Sequence, residues 1–119
     1  AVRPAAPMED RQGRPQLRVQ AIGAKGLRSA DFGITGGSSD PYCTFNIVGR
    51  PQQRHKTKTI KKCLEPVWDF EGLLSGCGEG DAVEFEVWDY DAVGADDLLG
   101  KAVLEYEDFA AFGFEGEVP

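Results

Sequence analysis

Residues 88–100 have the sequence Trp88-Asp89-Tyr90-Asp91-Ala92-Val93-Gly94-Ala95-Asp96-Asp97-Leu98-Leu99-Gly100. They follow an alternating segment, residues 83–87, whose period of two predicts a β-strand. Four aspartates therefore lie within nine residues at the end of a strand. Carboxylates this close together repel one another, and oxygen ligands of this kind suit calcium. The stretch predicts an acidic loop that holds a cation.

The composition of this 119-residue chain fits one globular domain. Its formal net charge of −7 argues against general nucleic-acid binding, which needs a basic face. The charge is uneven, because Lys and Arg concentrate in residues 50–62 and acidic residues in 79–97. The three cysteines lack CxxC spacing, which favours reduced thiols in a cytosolic setting over disulfides or a zinc site. They are Cys43, Cys63 and Cys77.

Short alternating segments separated by Gly- and Pro-rich turns predict an all-β, antiparallel sandwich. The predicted strands cover residues 17–22, 42–48, 54–59, 83–87 and 98–103, with a further strand opening at Trp68 and a partial seventh at 114–118. A short helical turn is predicted within 107–112. Residues 1–15 show no periodicity and predict a disordered leader, so the domain is expected to span 16–119. Antiparallel connections place the loops at 23–40, 61–67 and 89–97 at one rim.

The side chains that alternation directs into the core come from four of these strands. They are Leu17, Val19, Ala21, Cys43, Phe45, Ile47, Trp68, Phe70, Val83, Phe85 and Val87.

Several motifs, taken in order, make residues 16–118 resemble a C2 domain. They are Leu17-Arg18-Val19, Ser39-Asp40-Pro41-Tyr42, Lys56-Thr57-Lys58-Thr59, Leu64-Glu65-Pro66-Val67-Trp68, Trp88-Asp89-Tyr90-Asp91 and Asp97-Leu98-Leu99-Gly100. The resemblance implies an eight-stranded Greek-key β-sandwich. Since only six clear strands and a partial seventh are predicted, the last is either missing or supplied by residues 1–8 or by another chain. An unpaired sheet edge would favour strand exchange or an edge-strand dimer.

The resemblance also implies a calcium site. In calcium-dependent C2 domains, five aspartates from two rim loops bind two or three calcium ions. The matching positions are Asp31, Asp40, Asp89, Asp91 and Asp97. The three positions in 89–97 fit the family spacing, whereas Asp31 and Asp40 lie farther apart than is usual, because of extra residues within 35–39.

A second implied site is a basic groove that binds phosphoinositide headgroups in some relatives. The corresponding residues are Tyr42, Lys56, Lys58 and Trp88. Asp96 stands where conventional protein kinase C enzymes often carry a polar amide, and its charge is expected to repel a phosphate. Three apolar loop-tip residues are expected to enter the membrane interface, and they are Phe32, Ile34 and Val93.

The function implied by the resemblance is calcium-dependent binding to anionic membranes that contain phosphatidylserine or phosphoinositides. The domain would act as a targeting module, recruited from the cytoplasm to the cytoplasmic face of membranes. The alternative is a calcium-independent C2 module that binds proteins or phosphoinositides, with the acidic loop as a solvated turn.

Two other classes of function are disfavoured by the residues themselves. An EF-hand would need a glutamate at its twelfth position, where this chain has Gly100, and helices on both sides. An enzyme is disfavoured because the single histidine, His55, has no paired acid or nucleophile pattern.

Overall fold

The computed structural model describes residues 2–4, 8–9, 15–27, 39–92, 94–109, 113 and 116. Its strands are β1 (Val2–Pro4), β2 (Met8–Glu9), β3 (Pro15–Gly23), β4 (Pro41–Ile47), β5 (His55–Lys56), β6 (Val67–Ser75), β7 (Ala82–Asp89) and β8 (Asp97–Glu105). A 3₁₀ turn covers Pro51–Gln53, and the short helix α1 covers Tyr106–Phe109.

The strands form two antiparallel sheets. In one sheet, β3 pairs with β6 on one edge and with β1 and β2 on the other. The second sheet has the order β5-β4-β7-β8. This arrangement confirms the all-β antiparallel sandwich. Of the partial seventh strand predicted at 114–118, only Gly116 lies within the described residues, where it forms an isolated bridge.

The core lies between the sheets, and most of its residues are ones that alternation selects. Leu74, Cys77, Leu104 and Phe109 also belong to it and were not predicted. Leu17, Val19 and Ala21 of β3 face Phe45 and the other inward-facing residues of β4. These side chains of both strands are almost completely buried. Phe70 and Val87 are partly buried against the same cluster. Because side chains alternate along a strand, the pattern of apolar residues specified which face of each strand turns inward.

Two described parts of the N-terminal segment, Val2–Pro4 and Met8–Glu9, form strands where a disordered leader is predicted for residues 1–15. Val2 lies opposite Ala21 and Met8 opposite Gln16, so β1 and β2 extend the sheet along the edge of β3. The physical reason is that an edge strand offers unpaired N–H and C=O groups, and pairing with them needs no apolar pattern. β1 lies within residues 1–8, the segment considered above as one possible source of an additional strand.

The third predicted strand, residues 54–59, is shorter in the structure. Regular pairing of β5 with β4 ends at Lys56, which lies opposite Thr44. The next residue, Thr57, is buried, and its Oγ1 accepts a hydrogen bond from the amide of Cys43 at 2.9 Å. A side-chain oxygen thus replaces a backbone carbonyl, which interrupts the ladder.

The described parts of the three rim loops are joined by backbone hydrogen bonds, which confirms that they meet at one end of the sandwich. The amide of Ala24 donates to the oxygen of Pro66 at 3.1 Å, and that of Cys63 to Ser39 at 2.8 Å. The amide of Tyr90 donates to the oxygen of Asp40 at 3.0 Å. Each loop is therefore fixed against a neighbour close to the acidic residues.

Candidate functional site

The acidic part of the rim is organised around Asp89, the last residue of β7. Pairing places Asp89 between Pro41 on β4 and Asp97 on β8. Its side chain is buried, with 3% of the residue surface exposed. The Oδ1 atom accepts a hydrogen bond from the amide of Asp40 at 2.8 Å. Strand register therefore brings three of the predicted ligands, Asp40, Asp89 and Asp97, to the same end of the second sheet.

Asp40 in turn holds the loop that precedes β6. Its Oδ1 atom accepts a hydrogen bond from the amide of Lys62 at 2.8 Å. Lys62 has a φ of 51°, in the left-handed region that residues other than glycine rarely adopt. The carboxylate of Asp40 therefore stabilises a strained turn that carries the exposed Lys61 and Lys62.

The loop after β7 contains the other acidic residues. The amide of Asp91 donates to Oδ1 of Asp96 at 2.9 Å, which closes the loop on itself. Gly94 permits this closure with a φ of +105°. The side chains of Asp91 and Asp97 are exposed, whereas Asp96 is half-buried.

The donor chemistry of the acidic rim fits calcium better than a transition metal, since its ligands are carboxylate oxygens. Across the described ranges, however, no group of three or more His, Cys, Asp or Glu side chains is arranged so that it could hold a metal ion. Asp31, the fifth predicted ligand, lies outside the described residues. Calcium binding is therefore taken up as a proposal below.

The residues predicted for the basic groove lie on the outer face of the second sheet or next to it. Tyr42 on β4 and Trp88 on β7 are opposite each other across the ladder. The Nζ atom of Lys56 lies 4.4 Å from the centre of the Tyr42 ring, close enough for a cation–π interaction. The indole N–H of Trp88 donates to Oγ1 of Thr44 at 3.3 Å. Lys58, the fourth residue predicted for this groove, is exposed two positions beyond Lys56.

Arg54 is a member of this face that the predicted groove does not include. Its guanidinium lies 5.9 Å from the centre of the Trp88 ring, and Nη2 donates to Oγ1 of Thr44 at 3.1 Å. The signal for Arg54 is in the sequence, because alternation places it on the same face as Lys56. We define the cationic face as Arg54, Lys56, Tyr42 and Trp88.

Asp96 connects the cationic face to the acidic rim. The hydroxyl of Tyr42 donates to Oδ2 of Asp96, while Oδ1 of Asp96 accepts from the amide of Asp91. The bond to Tyr42, together with that amide and the charge of Lys56, holds the pKa of Asp96 below its usual value. Burial, and then the bond to Asp96, raise the pKa of Tyr42 to about 12. The phenol therefore stays protonated and keeps donating at neutral pH.

The predicted membrane-inserting residues, Phe32, Ile34 and Val93, all lie outside the described residues. The structure instead shows exposed apolar side chains in the neighbouring rim loops. Tyr90 has 44% of its surface exposed and Leu64 has 36%. Sequence reasoning did not single out either residue, although Tyr90 lies within the quoted motif at 88–91 and Leu64 within the one at 64–68.

A model of the C2 domain family matches residues 15–116. The chain belongs to the C2 domain family. This C2 domain is 39% identical to the calcium-dependent lipid-binding protein of Arabidopsis thaliana over 101 residues, which is 82% of this chain and 18% of that protein. It is 33% identical to tricalbin-1 of Saccharomyces cerevisiae over 89 residues, which is 74% of this chain and 7% of that protein.

A solved C2 domain of plant extended synaptotagmin 1 is similar in structure to this C2 domain. The TM-score is 0.71 and the sequence identity 28%, over 80% of this chain and 71% of that one. This C2 domain spans only a small share, 7–20%, of the curated relatives it matches.

The family relationship limits the kinds of activity to consider. A C2 domain is a non-catalytic module, and relatives such as human Ras GTPase-activating protein 4 contain it as a small part of a larger protein. Within the part of the chain that the structure describes, no helix is both long and apolar enough to cross a bilayer.

Proposed function

We propose that this C2 domain binds anionic phospholipid membranes when calcium occupies its acidic rim. The observation that carries the proposal is the position of Asp89, a buried carboxylate held against Asp40 with Asp97 opposite. Backbone amides offset part of the repulsion between these carboxylates, and the same bonds hold their oxygens in place. Carboxylate oxygens held in this way are ligands that suit calcium, and a bound calcium ion would offset the remaining repulsion.

The residues proposed to hold the ions are the five aspartates at the matching C2 positions. They are Asp31, Asp40, Asp89, Asp91 and Asp97. When bound, two or three calcium ions would supply positive charge and open coordination positions to which lipid phosphate or serine carboxylate oxygens add. Without calcium, the same residues repel an acidic surface.

The remaining contacts strengthen docking once this repulsion is removed. Lys56 and Lys58 each contribute on the order of 1 kcal/mol at an anionic surface, and salt screens that contribution. Phe32, Ile34 and Val93 are proposed to enter the interface, each contributing at most about 1.5–3 kcal/mol if fully buried. Because each contribution is small, calcium acts as the switch that allows them to operate together. The domain would then bring a larger protein from the cytoplasm to the cytoplasmic face of a membrane.

Co-sedimentation with vesicles of phosphatidylcholine and phosphatidylserine tests the proposal. Binding is expected in calcium and not in chelator, and calorimetric titration with calcium alone is expected to show ion binding. The double variant Asp89→Asn, Asp91→Asn removes two negative charges from the rim and is expected to lose both signals.

The matched control is the double variant Glu79→Gln, Glu107→Gln, which removes the same charge from exposed positions at the other end of the sandwich. It is expected to bind as the unmodified domain does. Equal sedimentation in calcium and chelator would overturn calcium dependence and favour a calcium-independent module. Retained calcium binding in the rim variant would exclude Asp89 and Asp91 as ligands.

A further inference from the structure

The two sheets leave an apolar cavity between them, toward the rim end of the sandwich. Its volume is about 620 Å³. One wall is formed by residues 21–23 of β3, and the other by Val87 of β7 with Gly100 and Ala102 of β8. Trp68 of β6 also lines it. A cavity of this size with mostly apolar walls has the features of a small-molecule site.

The cavity is a departure from the close packing found in the rest of the core. Val87 and Ala102 pack against the core cluster, yet both are only partly buried. Gly100 lies opposite Val87, and a Cβ added at Gly100 would meet no atom within 4 Å. At the other end of the sandwich, in contrast, Phe109 closes the core and is 1% exposed. The inward-facing residues of β8 near the rim are therefore too small to fill the space between the sheets.

The opening of the cavity carries more positive than negative charge, although the chain as a whole has a net charge of −7. Lys25 and Lys101 line the cavity and have exposed side chains. Among the described residues that line it, Glu65 is the one acidic side chain. Lys101 also pairs with Glu84 at 3.3 Å, so its ammonium group lies toward the outer face of β8. The excess of ammonium groups favours a ligand with an anionic end.

We propose that this cavity binds a long-chain fatty acid, with the hydrocarbon chain between the sheets and the carboxylate at the opening near Lys25 and Lys101. Stacked sheets lie about 10 Å apart, so the gap between small wall residues admits one hydrocarbon chain and not the two of a membrane phospholipid. A hydrocarbon chain also suits apolar walls because it brings no N–H or C=O group that needs a partner.

This site is separate from the proposed calcium site. The proposed calcium ligands that the structure describes do not line the cavity. Binding of a fatty acid therefore requires neither calcium nor a membrane, and it can be measured in chelator without vesicles.

The first test is calorimetric titration with saturated fatty acids of increasing chain length, each below its micelle-forming concentration. Each buried methylene should strengthen binding by up to about fourfold, so the affinity is expected to rise with chain length and to level off when the cavity is full. Lys25→Ala is expected to weaken the binding of oleate about threefold. The same variant should bind oleyl alcohol, which has no charge, as the unmodified domain does.

The second test locates the ligand. Gly100→Leu places a side chain in the cavity and is expected to weaken oleate binding about tenfold or more, because it displaces at least two methylenes. The matched control is Gly78→Leu, which adds the same side chain at the other end of the sandwich, where a Cβ also meets open space. Thermal unfolding of each variant verifies that it is folded.

The two tryptophans of the chain provide a second measure of location. Trp88→Phe leaves Trp68 in the cavity wall, and Trp68→Phe leaves Trp88 on the outer face of the second sheet. Dibromostearate, whose bromine atoms quench a nearby indole, is expected to quench the fluorescence of Trp68 and not that of Trp88.

Three results would overturn the proposal: an affinity that does not depend on chain length, equal binding by Gly100→Leu and the unmodified domain, or equal quenching of both tryptophans. Sedimentation velocity tests the main competing occupant. A domain that is dimeric, and that Gly100→Leu makes monomeric, would hold a second copy in the cavity and would also overturn the proposal. Because chelator is present and vesicles are absent, each of these failures leaves calcium-dependent docking intact, and failure of that docking leaves the fatty-acid site intact.

Discussion

Asp89 is expected to have two separable roles, one in holding the rim together and one in binding a cation. Its Oδ1 atom accepts the amide of Asp40 at 2.8 Å in a region where Asp89 is 3% exposed. Asp89→Asn keeps a side-chain oxygen of the same shape that can accept this bond. Asp89→Ala removes the acceptor and leaves the amide of Asp40 unpaired.

The magnitudes follow from these contacts. Leaving a buried amide without its partner costs about 1–3 kcal/mol of unfolding free energy. At roughly 5 °C per kcal/mol for a domain of this size, Asp89→Ala should lower the Tm in chelator by about 5–15 °C. Asp89→Asn should change the Tm in chelator by less than about 3 °C. It removes the negative charge of Asp89 and, with it, the repulsion between Asp89 and the other rim carboxylates. In the unmodified domain, calcium at 100 times its Kd should add about 2.7 kcal/mol, or more than about 10 °C.

Differential scanning calorimetry of the three proteins, with calcium and with chelator, measures both effects. Asp89→Asn is expected to keep its Tm in chelator and to lose the rise caused by calcium. If Asp89→Ala and Asp89→Asn unfold at the same temperature in chelator, the hydrogen bond to Asp40 does not stabilise the rim. If Asp89→Asn still gains the full calcium shift, Asp89 is not a ligand and the proposed site is wrong.

Three further predictions concern packing, thiol chemistry and pH. A Cβ at Gly23 would lie 2.4 Å from the backbone oxygen of Pro66. Gly23→Ala should therefore lower the unfolding free energy, measured by urea denaturation, by about 1–3 kcal/mol. Gly100→Ala is the control and should not lower it, because a Cβ at Gly100 meets open space. Burial raises the pKa of the Cys43 thiol to about 12, so a thiol reagent at about pH 8 should label Cys43 only after unfolding; fast labelling in the native state would contradict its burial. The folded-state pKa of Asp96 is lowered, so its stabilisation is present above its unfolded pKa of about 3.9 and is lost as pH falls. The unfolding free energy, measured in urea between about pH 6 and 3, should therefore fall less steeply for Asp96→Asn than for the unmodified domain.

The main strands and their buried faces were predictable from the sequence, because strand side chains alternate and the apolar residues follow that period. Leu17, Val19 and Phe45 are buried as predicted for this reason. The acidic loop after β7 was also predictable, since four aspartates in nine residues form a local pattern. The resemblance to C2 domains indicated which aspartates of the rim match the positions of calcium ligands in that family.

The features that escaped prediction depend on contacts between residues distant in sequence. The bond from Tyr42 to Asp96 joins residues 54 positions apart, and no local pattern indicates it. The early end of β5 depends on the side chain of Thr57 reaching the amide of Cys43. Likewise, β1 and β2 pair with the edge of β3, and because backbone pairing needs no apolar pattern, the leader gave no sign of them.

The simplest reason to expect a cation in the acidic rim is that nothing else offsets the repulsion between its carboxylates. The hydrogen bonds of the rim show that this premise is wrong. Backbone amides donate to three of them, with Asp40 donating to Asp89, Lys62 to Asp40 and Asp91 to Asp96. Bonds from amides to carboxylates stabilise the charged form without a metal, so repulsion alone does not require calcium. The same bonds fix the carboxylates before any ion arrives, which lowers the entropy lost on binding. Weakening one of these bonds should therefore weaken calcium binding, even when the substituted residue is not itself a ligand. Asp96→Asn weakens the bond to the Asp91 amide. Calorimetric titration of this variant with calcium can measure the loss.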